Sequence, residues 1–136
     1  IAMPADANWS GNIFGGWLIS QMDIAGAIHC ERFTRGRCAT IAIEKMTFMV
    51  PVAIGDVISC YCKILSVGNT SMTVHIEVWR SAHDHHDLTR VTEGFFTFVA
   101  LHSDGKKRMI PPDVKQQFLL NQQAEAAAQA QVPDQA

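Results

Sequence analysis

The sequence predicts an α+β fold in which a long central helix is wrapped by a curved antiparallel β-sheet. Three observations predict it. One long apolar helical pattern stands near the start of the 136 residues. Four long strand patterns follow in succession, separated by turns and by no second helix. The helical pattern is apolar around most of its circumference, so it needs a cover, and a strongly curved sheet supplies one. A ferredoxin-like arrangement fits worse, because it places a helix between the strands.

Residues 1–12 carry the turn formers Pro4, Asp6, Asn8, Ser10, Gly11 and Asn12 and are expected to form a loop. The helix should run from Phe14 or Gly15 to about Phe33. Phe14, Trp17, Leu18, Met22, Ala25 and Ile28 recur there at three- and four-residue steps. Ile24 and Ala27 widen the stripe, which implies burial on most sides. Gly15, Gly16 and Gly26 are weak helix formers, so another backbone or a ligand is expected to come close to them. Gly36, between Arg35 and Arg37, is the expected left-handed residue that ends the helix.

Strand character begins at Cys38 and lasts to Val50. Residues 51–56 form a turn. Val57 to Val67 alternates, with Ile58, Cys60, Cys62 and Ile64 on one face and Ser59, Tyr61 and Lys63 on the other. Gly68-Asn69 is a tight hairpin turn. Ser71 to Trp79 sets Met72, Val74, Ile76 and Val78 against Thr73, His75 and Glu77. A polar hairpin loop covers 80–87. Leu88 to Leu101 is the last strand, and Ser103-Asp104-Gly105 turns the chain again. A helix from Asp113 to about Ala130 ends in a tail expected to fray. Residues 1–112 are therefore one domain, and 113–136 are a C-terminal helix and tail. The first residue is Ile1, so the chain is expected to begin inside a longer one, with an opening strand truncated.

Hydrophobic residues make up 48% of the chain, enough for a real core. The net charge of −2 provides no global basic field for nucleic acid or anionic lipid. No apolar run is long enough to cross a bilayer. Cys30, Cys38, Cys60 and Cys62 show neither a CxxC pair nor zinc-type spacing, and are expected to be reduced thiols of a cytoplasmic protein.

Asp23 is the informative residue. It stands between Met22 and Ile24, and no cation lies one helical turn away. An unpaired buried carboxylate is costly, and such groups concentrate at functional sites. An acid on a narrow exposed face fits the spacing equally well. Gly11-Asn12-Ile13-Phe14-Gly15-Gly16 delivers the chain into the helix, whose first N–H groups lack internal partners and suit a developing oxyanion. His83-Asp84-His85-His86-Asp87 resembles a metal cluster. Its five residues are contiguous, however, and no second ligand set fixes a geometry, so no metal is expected. His29 and His75 stand alone and are expected to be packing or surface residues. Lys106-Lys107-Arg108 and the Arg35/Arg37 pair are candidates to meet a phosphate.

Several motifs in one order resemble the YciA-like acyl-CoA thioesterases of the hotdog-fold superfamily. They are Met3-Pro4-Ala5-Asp6-Ala7-Asn8, Gly11 to Trp17, Ser20-Gln21-Met22-Asp23, Met46-Thr47-Phe48, Pro51-Val52, Gly55-Asp56-Val57, Gly68 to Ser71, Glu77-Val78-Trp79, Val91-Thr92-Glu93, Phe96 to Ala100, and Gly105-Lys106 with Arg108. The resemblance implies a hotdog fold and hydrolysis of acyl-CoA to a free acid and CoA, without a cofactor. It implies dimers that share active sites, and trimers of those dimers. It places the catalytic acid on Asp23, as general base or nucleophile, and the oxyanion-binding backbone on Gly15 and Gly16. The loop Asn falls on Asn8, and the water-placing Thr on Thr40. Asn69, Ser71, Lys106 and Arg108 are the candidates for CoA contact. Asn12 departs from the Asp of many relatives, and the His-rich loop departs from a lysine-rich hairpin. A hotdog dehydratase and a non-catalytic acyl-CoA-binding domain are the alternatives. The loop before the helix holds no His, which disfavours dehydration.

Overall fold

The computed structural model describes residues 1–84 and 86–131. His85 and the expected frayed end at 132–136 lie outside the described residues. The expected element order is observed: α1 (Gly15–Thr34), β1 (Cys38–Phe48), β2 (Val57–Val67), β3 (Ser71–Ser81), β4 (Thr89–Ala100) and α2 (Pro112–Ala130). The opening loop contains one 3₁₀ turn, Pro4–Asp6. It is tied down where Ala2 donates to the Asp56 carbonyl at 3.0 Å and accepts from the Gly55 N–H at 2.8 Å.

The four strands form one antiparallel sheet in the order β1-β4-β3-β2. β1 and β2 are therefore its edges among the described residues. Alternation decides the faces. Met72, Val74, Ile76 and Val78 of β3 and Phe96 and Phe98 of β4 are buried against α1. On α1 the buried residues are Leu18, Met22, Gly26, Cys30 and Thr34, one stripe repeating every fourth position.

Two expectations are corrected here. Burial of α1 on most sides does not hold within one chain, where Ile24 is 55% and Ile28 47% exposed. The sheet of a single chain reaches only one stripe of the helix. The left-handed residue that ends α1 is Arg35, at φ 58°, and not Gly36. Gly36 is small for another reason: a Cβ there would lie 2.7 Å from the Arg108 guanidinium.

Gly26 and Gly94 each admit a neighbour. A Cβ on Gly26 would meet Ile76 Cδ1 and Phe98 Cζ at 2.8 Å, so its absence lets α1 lie close on the sheet. The space above Gly94 is filled by the Met46 thioether. β1 bulges just there: its register shifts between Glu44 and Thr47, with Lys45 at φ 53°. α2 docks loosely. Phe118 meets Phe33 edge-on at 6.1 Å, Val114 is buried, and Gln122 Nε2 donates to the Leu65 carbonyl at 3.3 Å.

Gly26→Ala should destabilise the protein by about 1–3 kcal/mol, because the added methyl overpacks a rigid contact. Urea unfolding of the two proteins checks this.

Candidate functional site

The loop before α1 is built around Asn8. Its Oδ1 accepts from the Ser10 N–H at 3.0 Å, the Ser10 hydroxyl at 2.6 Å and the Asn12 N–H at 3.2 Å. Its own N–H donates to the Asn12 carbonyl at 2.7 Å. Ile13 N–H donates to the Val52 carbonyl at 2.9 Å, and Phe14 N–H to Asp6 at 3.0 Å. These bonds fix how the chain enters the helix. Trp17 N–H then turns back to the Phe14 carbonyl at 3.1 Å. Of the four N–H groups that a helix start leaves over, those of Gly15 and Gly16 remain without a partner among the described residues. A Cβ on Gly16 would meet nothing within 4 Å, and one on Gly15 would meet the Phe48 ring at 3.4 Å. The two donors, unpartnered among the described residues, carry the positive end of the helix dipole.

Asp23 is half-buried on α1, and the Thr40 hydroxyl of β1 donates to its Oδ1. No ion pair reaches it among the described residues. The carboxylate is therefore oriented by a neutral donor and keeps its charge uncompensated. Asp23 is less deeply embedded than its neighbours Met22 and Ile24 suggest, because α1 buries only one stripe. Gly16 and Asp23 are seven residues apart, roughly 10 Å along the helix axis. One carbonyl carbon cannot touch both within a single chain.

The remaining candidates gather at the sheet end nearest Thr40. Thr40, Phe98 and Met72 stand in one row across β1, β4 and β3, and Ser71 pairs with Val99 beside it. The Asn69 carbonyl accepts from the Ile110 N–H at 2.8 Å, and the Thr70 carbonyl accepts from Ala100 at 2.7 Å. The 68–71 turn and the 106–110 segment are therefore neighbours. Asn69 and Lys106 are exposed, with Asn69 Oδ1 accepting from Lys115 Nζ at 3.2 Å. Arg108 is different. Its guanidinium donates to the carbonyls of Leu101 at 3.1 Å, Thr34 at 3.1 Å and Arg37 at 3.4 Å, and to the Thr34 hydroxyl at 3.1 Å. It clamps the end of α1 to the segment after β4, which leaves little of it for a phosphate. Arg35 pairs with Asp113 at 3.1 Å.

His75 does not stand alone, contrary to the sequence expectation. Its Nε2 lies 3.0 Å from Glu93 Oε2 and its Nδ1 3.9 Å from Glu77 Oε1, on the sheet face away from α1. Their donor atoms lie within 4.8 Å of one another, close enough for a metal. Arg90 already stands between both carboxylates, at 3.4 Å from each. Alternation in β3 placed His75 and Glu77 on one face; the partner strand that brings Glu93 opposite Glu77 was not legible. The cysteines are free thiols. Burial pushes the Cys30 thiol up to about 12 and that of Cys62 to about 11, so neither is a nucleophile at neutral pH.

Sequence reading also missed a cavity of about 310 Å³ beside the start of α1, walled in part by Gly15, Leu18, Phe48, Met49 and Val50. The available signal was the apolar run Phe48-Met49-Val50, which continues past the end of β1.

Comparison with known proteins adds three findings. The family model described as Thioesterase superfamily matches residues 10–84. Acyl-CoA thioester hydrolase YciA of Salmonella typhimurium is 46% identical over 114 residues, covering 82% of this chain and 86% of that protein. Among solved structures, Cj0915, a hexameric hotdog fold thioesterase of Campylobacter jejuni, superposes with a TM-score of 0.81 at 44% identity, covering 85% of this chain and 90% of that one. HI0827, a hexameric broad specificity acyl-coenzyme A thioesterase solved as an aspartate-to-alanine mutant enzyme, superposes with a TM-score of 0.82 at 39% identity, covering 96% and 94%.

Arg108→Ala should lower the melting temperature by several degrees, since it leaves the buried Thr34 hydroxyl and carbonyl without their charged donor. Lys106→Ala should leave it within a degree or so. Thermal unfolding by circular dichroism compares the two.

Proposed function

Because this chain belongs to the thioesterase superfamily, we propose that it hydrolyses acyl-CoA thioesters to free carboxylic acid and CoA, with Asp23 as the catalytic carboxylate, at sites shared by two copies of the chain. The observation that carries the reading is the carboxylate itself: half-buried, free of any ion pair among the described residues, and aimed by the Thr40 hydroxyl.

Two copies are needed because the donors of Gly15 and Gly16 are too far from Asp23 in one chain. The single chain carries the means to pair. β1 is an edge strand of eleven residues whose outer ladder is bare among the described residues, and bare edges recruit strands. Within it Ile41 is 58% exposed, and on α1 Ile24 and Ile28 are uncovered as well. If β1 of two copies pairs antiparallel about a two-fold axis near Ile43, the partner's Thr40 faces the Met46–Phe48 end of this strand. The Phe48 ring rests against Gly15, so the partner's Asp23 then comes to the open N–H pair. Three such dimers would make the hexamer of the relatives.

In the reaction, the thioester carbonyl oxygen accepts the N–H bonds of Gly15 and Gly16, which strengthen as it becomes an oxyanion. In the general-base route Asp23 takes a proton from water, the water oxygen bonds to the carbonyl carbon, and the C–S bond breaks. The proton on Asp23 then passes to the CoA thiolate. In the nucleophilic route the carboxylate oxygen bonds to the carbon first and the C–S bond breaks, expelling CoA thiolate; water then cleaves the anhydride to the free acid and the Asp23 carboxylate, and the proton released goes to the thiolate. Thr40 holds Oδ1 and leaves the other oxygen free for either. His29 lines the cavity among α1, β2 and α2 and not the one beside Gly15, so nothing there resembles the His of a dehydratase. For CoA we favour the exposed Asn69 and Lys106 and the half-buried Ser71. No helix is long and apolar enough to cross a membrane, and four free thiols fit a cytoplasmic setting.

Asp23→Asn should lower kcat by about 10²-fold or more with the fold retained, as followed by thiol release from acyl-CoA. A folded Asp23→Ala protein with full hydrolysis would end the reading. The shared site predicts complementation. Gly15→Pro removes one donor at a position where proline suits a helix start, following Phe14 at φ −59°, ψ 135°. Asp23→Ala and Gly15→Pro chains, each inactive, should regain roughly a quarter of wild-type activity when refolded together, because half of randomly mixed dimers hold one intact site.

A further inference from the structure

We propose that Phe48, which borders the apolar cavity at the start of α1, sets how long an acyl chain the site takes. The inference rests on the thioester-hydrolase reading and adds a specificity residue to it.

A thioester carbonyl held by Gly15 and Gly16 has two arms, an acyl chain and a thiol-linked nucleotide. The cavity of about 310 Å³ touches Gly15, and none of its lining side chains is ionisable or bears a hydroxyl. A charged nucleotide arm finds no polar side-chain partner there, whereas a hydrocarbon chain needs none. The volume holds roughly ten methylene-sized groups, at the ~30 Å³ that one water occupies in the liquid.

Phe48 lines the cavity on the side of Gly15. Its ring carbons come within 3.4 Å of where a Gly15 Cβ would be, so a chain running from the carbonyl into the cavity passes this ring. The backbone beneath it is fixed. Phe48 pairs with Thr92, the Thr92 hydroxyl donates to the Thr47 carbonyl at 2.6 Å, and Met49 N–H donates to Val91 at 2.8 Å. The side chain is not: Phe48 is 50% exposed, and Met49 is 39% exposed beside it. The far side of the cavity is fixed as well, through the Ile13 to Val52 bond.

The experiment measures kcat/KM for acyl-CoA from two to sixteen carbons in wild type, Phe48→Ala and Phe48→Leu. The ratio of the longest to the shortest chain should rise about tenfold or more in Phe48→Ala and by an intermediate factor in Phe48→Leu, the scale on which apolar pockets discriminate. A merely structural role would lower all chain lengths together. A chain-length ratio that is unchanged in both variants overturns the inference. If wild type hydrolyses no acyl-CoA of any length, the thioesterase reading itself fails.

Discussion

The close approach of α1 to the sheet at Gly26 governs the geometry of the site. The helix rests on Ile76 and Phe98 with no room for a methyl. Phe98 pairs with Thr40 across β1 and β4, and Thr40 bonds Asp23, less than one helical turn before Gly26. Helix height, strand register and acid orientation are thus set by one contact. Interiors are dense and transmit strain, so a small rise of the helix would draw the carboxylate from its hydroxyl before it disturbed the sheet.

The face that α1 leaves uncovered belongs to the same design. Its buried stripe repeats every fourth residue, and Asp23 lies next to that stripe beside Met22. On the other side begin Ile24, Ile28 and the edge strand with Ile41 and Ile43. The acid sits at the boundary between the covered and the bare face of the chain. Closing that boundary with a second chain would remove water from around the carboxylate while bringing it the helix start it lacks. Desolvation makes each remaining dipole count for more, the backbone donors included.

The hotdog architecture was legible because it is written in periodicity. Alternation in β3 reappears as burial, whereas of the apolar steps in α1 only Leu18 and Met22 are buried, and Phe14 and Ile28 are exposed. Asp23 was legible as an anomaly within a periodic pattern, and Thr40 only through family resemblance. Other features depend on tertiary contact and have no local signature. Gly36 looked like the helix terminator; it is small because Arg108 packs on it from 72 positions away in the chain. Arg108 looked like a phosphate ligand, but its guanidinium is taken up by Leu101, Thr34 and Arg37. The bare stripe of α1 was misjudged because sequence counts apolar residues without saying which chain covers them.

The distribution of arginine argues for the role of Asp23 from a separate direction. Arg80 holds Asp56, Arg90 stands between Glu77 and Glu93, Arg35 meets Asp113, and Arg108 clamps the end of α1. Asp23 is half-buried and has no arginine beside it among the described residues. A guanidinium beside it would hold the charge in place and oppose proton uptake, and would compete for the lone pair that must reach water or carbon. Thr40 supplies direction without a charge. The chain therefore orients this carboxylate and leaves it unneutralised, an arrangement that favours a reacting group over a purely structural one.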